Sequence, residues 1–400
     1  MSSEPGAPLA GGIPLSVPSL DAREWEYVKE CLDTGWVSSA GPFVDRFERD
    51  LSARLGGGAA VATVTGTAAL HVALLVAGVQ RDDEVVVSTL SFIAPANAVR
   101  YAGAVPVFVD AEPSYWQMDP AALESFLGDE CQRVGDALRN RRTGRRVSAV
   151  LPVHVLGHPV DMDPVVDAAR QFGLAVVEDA TESLGARYKG RPVGRLGDVA
   201  CFSFNGNKVV TSGGGGMIVT DRAEWARRAR YLTTQAKDDP VEYVHHETGF
   251  NYRLTNLQAA LGCAQLERLE AKIAAKRRIA AAYAQAFAAR PGLTGMKTAE
   301  WAESIAWLYT VLVGEEAGTD RRSLLSALQA QGVQTRPLWQ PLHRSPAFAD
   351  LPRRSCPVAE QIHSAALSLP SSVGLTETDQ ERVIDAVLSS TRGRAAAEAR

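Results

Sequence analysis

Long apolar runs are missing from this 400-residue chain. No stretch approaches the roughly 18 consecutive apolar residues that a membrane helix needs. Cysteine is scarce and scattered, an odd set of five at Cys31, Cys131, Cys201, Cys263 and Cys356. No CxxC pair and no Cys/His cluster is present, which argues against a disulfide framework and against a structural zinc site. Reduced, buried thiols are the expectation. No sign of charge dominates: 42 Lys and Arg stand against 46 Asp and Glu, so nothing global favours nucleic acid or an anionic membrane. The segment from Met1 to Pro14 is small, polar and rich in Gly and Pro. It lacks the basic-then-apolar order of a secretory leader, which makes the cytoplasm the expected compartment. No internal repeat is visible.

What the chain does have is a 46% hydrophobic, 22% charged composition, suited to a globular enzyme of about two or three domains. Residues 1–15 read as a flexible arm. Leu20 to Asp33 has helical periodicity. Small-residue or β-branched runs at 57–63, 84–88, 105–109, 147–153 and 175–178 read as strands. Helical stretches lie between several of them, at 71–79, 94–101 and 164–172. Strands alternating with helices imply a mostly parallel sheet covered on both faces. In such sheets ligands bind at the carboxyl ends of the strands, which singles out Gly66–Thr67, Phe92, His154 and Asp179.

From Ala223 onward the character changes. Leu254 to Ile279 reads as a long helix that can run on to Ala289. A strand at 306–313, a helix at 321–331, a Pro/Trp/His loop at 336–345 and a helix at 376–388 complete a smaller α+β unit. The expected division is a large domain over 16–260, a small C-terminal domain over 261–391, and a disordered tail over 392–400.

Three signals carry chemistry. Asp179 ends the run Val176-Val177-Glu178-Asp179. It can cap the next helix, or it can hold a pyridine nitrogen protonated so that the ring acts as an electron sink. Lys208 sits between Phe202-Ser203-Phe204-Asn205-Gly206-Asn207 and the glycines Gly213 to Gly216. A lone lysine is ordinarily a solvated surface residue. A desolvated one beside a Gly-rich loop is a nucleophile toward an aldehyde. Thr65-Gly66-Thr67-Ala68-Ala69-Leu70 opens a helix, and the amides there can hold a phosphate. A Gly-Thr turn is common, and this one is not a P-loop, since no GK[ST] follows.

In that chain order the three resemble the DegT/DnrJ/StrS sugar aminotransferases, and the resemblance runs from about Ser16 to about Val387. It is carried by Glu178-Asp179-Ala180-Thr181-Glu182-Ser183-Leu184-Gly185-Ala186, by Tyr188-Lys189-Gly190 and Gly197-Asp198, and by Phe202-Ser203-Phe204 up to Lys208. Gly249-Phe250-Asn251-Tyr252-Arg253-Leu254 with Gln258-Ala259-Ala260 extends it. The resemblance implies an aspartate-aminotransferase-like (type I) fold and pyridoxal 5'-phosphate as cofactor. Lys208 would hold the cofactor covalently and shuttle the proton, and Asp179 would pair with the ring nitrogen. Gly66, Thr67 and Ser203 would hold the phosphate, and Phe92 would stack on the ring. Asn251 would reach the phosphate from the neighbouring subunit of a homodimer. His154 would lie near the cofactor, although a core histidine is an equal reading.

Two departures stand out. Glu182 occupies a place where many relatives carry Gln, close to the cofactor, and Gly214 one where many carry Glu. The segments Asp33 to Ser39, Thr233 to Lys237 and Thr335 to Trp339 resemble the subgroup acting on C4 keto groups of nucleotide-linked 6-deoxy sugars, with L-glutamate as amino donor. Arg253 and Arg336 are candidate contacts for a diphosphate or carboxylate, against the plain reading of surface salt bridges. Three other functions on the same fold stay open. They are amination of a cyclitol ketone, sugar dehydration (whose enzymes replace the lysine with His), and non-catalytic regulation. Fold alone does not choose among them.

Overall fold

The computed structural model describes residues 12–391, except 240 and 353. Its larger sheet has nine strands. Seven form a continuous path in the order Ala59–Thr63, Gly216–Thr220, Val199–Ser203, Ala175–Asp179, Arg146–Leu151, Glu84–Ser88 and Val105–Val109. The last five pair parallel to one another. A hairpin, Cys131–Val134 with Ala137–Asn140, pairs antiparallel onto Arg146–Leu151. The strand runs are nearly continuously apolar because helices cover both faces. Val85, Val86, Val87, Val150, Leu151 and Val177 are wholly buried.

One strand runs the other way. Gly216–Thr220 is antiparallel to both of its neighbours, Ala59–Thr63 and Val199–Ser203. Its first residue, Gly216, therefore pairs with their last residues, Thr63 and Ser203. This reversal brings the glycine loop to the edge where the parallel strands end.

A second hydrophobic cluster gathers Ile279, Tyr283, Phe287, Val311, Leu324, Leu367 and Val383 around a four-stranded sheet. That sheet is antiparallel throughout, in the order Leu293–Gly295, Thr310–Val313, Ala366–Ser368, Arg336–Pro337. The helix Leu269–Phe287 belongs to both cores. Leu269 and Ile273 pack in the first, Ile279 and Tyr283 in the second.

Several elements differ from the sequence reading. The long helix expected from Leu254 to Ala289 is two helices, Asn256–Glu267 and Leu269–Phe287, broken at Arg268 where φ is −106 and ψ is 13. Residue 260, the expected limit of the large domain, lies inside the first of these. Part of the expected arm is tied down. Ile13 is buried, its N–H donates to Gly332 O at 2.8 Å, and its carbonyl accepts from Gln334 N at 2.9 Å. Residues 1–11 and the expected tail from 392 lie outside the described residues. Helices Pro42–Arg54, Pro120–Asp129 and Ala223–Thr233 are additions to the sequence reading. Among the described residues no helix is long and apolar enough to cross a membrane.

Candidate active site

A cleft of about 310 Å³ opens where the parallel strands end. Thr65, Gly66, Thr67, Phe92, Asp179, Thr181, Glu182, Ser203 and Lys208 line it, together with Trp307 and Trp339 from the C-terminal part of the chain.

The floor on one side is the start of helix Gly66–Val76. Thr65 caps it: its Oγ1 accepts from Ala68 N at 3.0 Å and its carbonyl from Ala69 N at 3.1 Å. The amides of Gly66 and Thr67 are left as the open donors of the first turn, with the positive end of the helix dipole behind them. Close packing dictates glycine here. A Cβ on Gly66 would lie 2.8 Å from Ser203 Cβ, and one on Gly216 would lie 2.4 Å from Thr65 O. Gly213 and Gly215 take φ of 77° and 120° as the loop turns past the helix start.

Asp179 closes the strand Ala175–Asp179 and is 1% exposed. Its Oδ1 accepts from Thr181 N at 3.1 Å. Burial pushes its carboxyl above the ordinary range, opposed by the Thr181 hydrogen bonds and by the charge of Lys208. A buried carboxylate with one weak partner is costly, and a cationic ring nitrogen is the group that would offset that cost.

Lys208 follows a turn in which its N–H donates to Asn205 O at 3.0 Å. Its side chain is 13% exposed. The ε-amine is 3.5 Å from Glu182 Oε1 and 4.0 Å from the centre of the Trp307 ring. The other oxygen of Glu182 accepts from Leu156 N at 2.9 Å. Burial raises the Glu182 carboxyl and the Lys208 charge lowers it. Phe92 stands at the mouth, 54% exposed, a large ring facing open space.

Helix amides for a phosphate, a buried carboxylate, a primary amine and an exposed ring thus meet in one cleft. The match to known proteins is equally specific. The model of the DegT/DnrJ/EryC1/StrS aminotransferase family covers residues 18–388. The chain belongs to the DegT/DnrJ/EryC1/StrS aminotransferase family. A GDP-perosamine synthase of Caulobacter vibrioides is 41% identical to it over 377 residues, covering 94% of this chain and 97% of the relative. DesV of S. venezuelae superposes with a TM-score of 0.83 at 34% identity, covering 95% of this chain and 99% of that one. DesI, solved in the presence of its TDP-sugar product, gives 0.86 at 30%, covering 98% and 96%. This family member is a pyridoxal-phosphate-dependent aminotransferase of the aspartate-aminotransferase-like α/β fold.

Four expected residues do not face the aminotransferase's cleft. His154 is fully buried behind it. Its Nδ1 accepts from Val160 N at 2.9 Å, which puts the ring proton on Nε2, 3.2 Å from Glu178 Oε2. Glu178 also accepts from the amides of Gly194, Leu196 and Gly197 at 2.8, 2.6 and 2.5 Å. This is a hydrogen-bonded network under the strand ends, and it holds His154 behind the cleft lining. Arg253 donates through Nε to Ser39 O at 3.0 Å and lies 3.5 Å from Asp45. Arg336 is exposed and bonds to the carbonyl of Thr335 at 2.9 Å. Asn251 is exposed, in a bridge with Thr234.

Sequence reading missed Trp307, Trp339, Thr181, Asn205 and Asn207 as cleft residues. Thr181 lies inside the acidic motif and Asn205 and Asn207 inside the lysine motif, so proximity in sequence was a usable signal for those three. Trp339 closes the segment Thr335 to Trp339 that the sequence brings forward, while Trp307 lies in none of the quoted motifs.

Proposed function

We propose that this aminotransferase moves an amino group from L-glutamate to a keto group of a nucleotide-linked sugar, with a 4-keto-6-deoxy sugar as the substrate class. The observation carrying the reading is the near-complete match, at 41% identity, to a GDP-perosamine synthase, joined to a cleft lined by Gly66, Thr67, Phe92, Asp179, Ser203 and Lys208. DesI, named with a TDP-sugar product, adds support.

In this reading Gly66, Thr67 and Ser203 hold the cofactor phosphate at the helix start. Asp179 holds the ring nitrogen, Phe92 covers the ring, and Lys208 holds the cofactor covalently at rest. Bound pyridoxal phosphate supplies an electron sink that lets the C–H bond beside the transferred nitrogen be broken. The ε-amine of Lys208, once released, takes that proton and returns it at the neighbouring atom. Glu182 keeps a negative charge beside that amine. The aromatic wall of Trp307 and Trp339 limits water around it.

The site is a property of a homodimer, with Asn251 contributed by the second subunit. Asn251 is exposed and does not line its own cleft, which suits that role. The enzyme acts in the cytoplasm, in keeping with free, buried thiols at all five cysteines.

The test is a panel of nucleotide-linked 4-keto-6-deoxy sugars, with cyclitol ketones as controls, each with glutamate and read by product mass. An amino-sugar product from the panel is the expected result. Conversion of cyclitol ketones alone overturns the substrate reading.

A further inference from the structure

The indole of Trp307 is held from three directions. Its backbone N–H donates to Leu156 O at 3.0 Å, its Nε1–H donates to Asn207 O at 2.8 Å, and its carbonyl accepts from Lys276 Nζ at 2.8 Å. Lys276 is 2% exposed, and its second acceptor is another carbonyl, Ser371 O at 2.5 Å. Burying an ammonium against two carbonyls is expensive. Strain collects at the same place. Leu156 and Ala306 take left-handed φ of 57° and 51° on the two sides of the contact between segments 155–157 and 305–307. A buried lysine and two strained residues thus fix one ring, and that ring faces Lys208 Nζ at 4.0 Å.

We propose that Trp307 is a positioning residue for the reacting amine. Its indole face is where the Lys208 ammonium rests whenever that amine is not bonded to cofactor, with Glu182 at 3.5 Å as the second contact. The proposal rests on the reading of Lys208 as the reacting amine. A cation over an indole face is attracted by the ring quadrupole. A lysine side chain otherwise wanders over many rotamers. One face and one carboxylate together confine it, so the proton carrier returns to the same place in each turnover. Small misplacements of such a group are costly in rate.

Two variants separate the ring face from its hydrogen bond. Trp307→Leu loses both the π face and the bond to Asn207, while Trp307→Phe keeps a face and loses only the bond. In the holoenzyme, Trp307→Leu is expected to lower kcat roughly tenfold, with KM for the amino donor little changed. The kinetic isotope effect with α-deuterated donor should rise, because C–H cleavage becomes more rate-limiting. Trp307→Phe should stay within about threefold of wild type. In cofactor-free protein, an amine-reactive label mapped by mass spectrometry should reach Lys208 faster in Trp307→Leu than in wild type, and no faster in Trp307→Phe.

Unchanged labelling and isotope effect in Trp307→Leu overturn the proposal. So does equal damage in Trp307→Phe, which assigns the effect to the Asn207 bond. If Trp307→Leu does not fold, Lys276→Met, which frees the carbonyls of Trp307 and Ser371 and leaves the indole itself unaltered, should also speed labelling of Lys208. Unchanged labelling there overturns the proposal. If borohydride fails to fix cofactor to Lys208 in wild type, the functional reading falls, while the labelling comparison in cofactor-free protein still reports the pose.

Discussion

Glu182 holds Leu156 N with one oxygen at 2.9 Å and faces Lys208 Nζ with the other at 3.5 Å. One carboxylate thereby links the loop after strand Arg146–Leu151 to the reacting amine. Glu182→Gln keeps an oxygen for Leu156, so folding should be nearly unaffected. Charge beside the amine is lost. Burial raises the Glu182 carboxyl, so it takes up its proton above the ordinary carboxylate range and then stops attracting the ammonium. The acid limb of kcat/KM, above the ordinary carboxylate range, should therefore be shallower in Glu182→Gln than in wild type. An acid limb identical to wild type would count against a charged Glu182.

Asp179 should show opposite effects with and without cofactor. Its carboxylate is penalised by burial in the free protein. Asp179→Asn keeps the acceptor for Thr181 N and removes the charge, so cofactor-free protein should melt higher. The loaded enzyme should lose roughly two to three orders of magnitude in kcat, the scale of unpairing a buried charge. Differential scanning fluorimetry and steady-state kinetics read the two arms. A variant that is both less stable when free and fully active would refute the pairing.

Gly216→Ala tests the helix start. The new Cβ would sit 2.4 Å from Thr65 O and 2.7 Å from Gly66 N, both backbone atoms that cannot swing away. The open amides of Gly66 and Thr67 must then move. Overpacking of this kind costs about 1–3 kcal/mol, which as lost phosphate binding is roughly 5- to 150-fold in the cofactor dissociation constant. Cofactor titration followed by absorbance measures it, and unchanged affinity would show that these amides do not hold the phosphate.

His158 makes stability fall in acid. Burial lowers its pKa from 6.5 to about 4, partly offset by its bond to the Pro159 carbonyl. Nε2 accepts from Ala299 N at 3.1 Å, so a proton there breaks that bond. The unfolded chain binds the proton at higher pH than the folded one. Stability is therefore full above about pH 6.5 and falls as pH drops toward 4, by up to roughly 3 kcal/mol. His158→Gln should be less stable at pH 7 but flatter with pH by about one proton. Urea unfolding at several pH values decides it, and an equal slope in wild type and variant would exclude His158 as the source.

Asn251 allows a complementation test of the shared site. Lys208→Ala and Asn251→Ala homodimers should each be impaired. Mixed and re-equilibrated, half the dimers carry both chains, and each of those has one intact site of two. Activity should return to about a quarter of wild type. No recovery on mixing would place Asn251 in its own subunit's site or in none.

Much of this was legible along the chain. Strands Glu84–Ser88 and Val105–Val109 and helix Ala94–Tyr101 have the bounds that their residue runs suggest. Helix Pro42–Arg54 does carry a sequence signal, with Pro42 at its start and Phe43, Val44, Phe47 and Leu51 buried along it. In Ala223–Thr233 a run of arginines masks the buried stripe Ala226, Ala229 and Leu232. The break at Arg268 carries no Pro or Gly to announce it.

Local sequence was sufficient to bring forward Asp179, Lys208 and the turn at Gly66–Thr67, which line one cleft. Each needs a strand end, a glycine loop or a helix start, and those leave marks in neighbouring residues. Three-dimensional packing alone decided that the reversed strand Gly216–Thr220 brings the glycines against Thr65, that His154 turns into the core, that Arg253 and Arg336 miss the cleft, and that Trp307 lies over Lys208. Contacts between distant segments depend on how helices and sheets stack, and no short-range pattern encodes that.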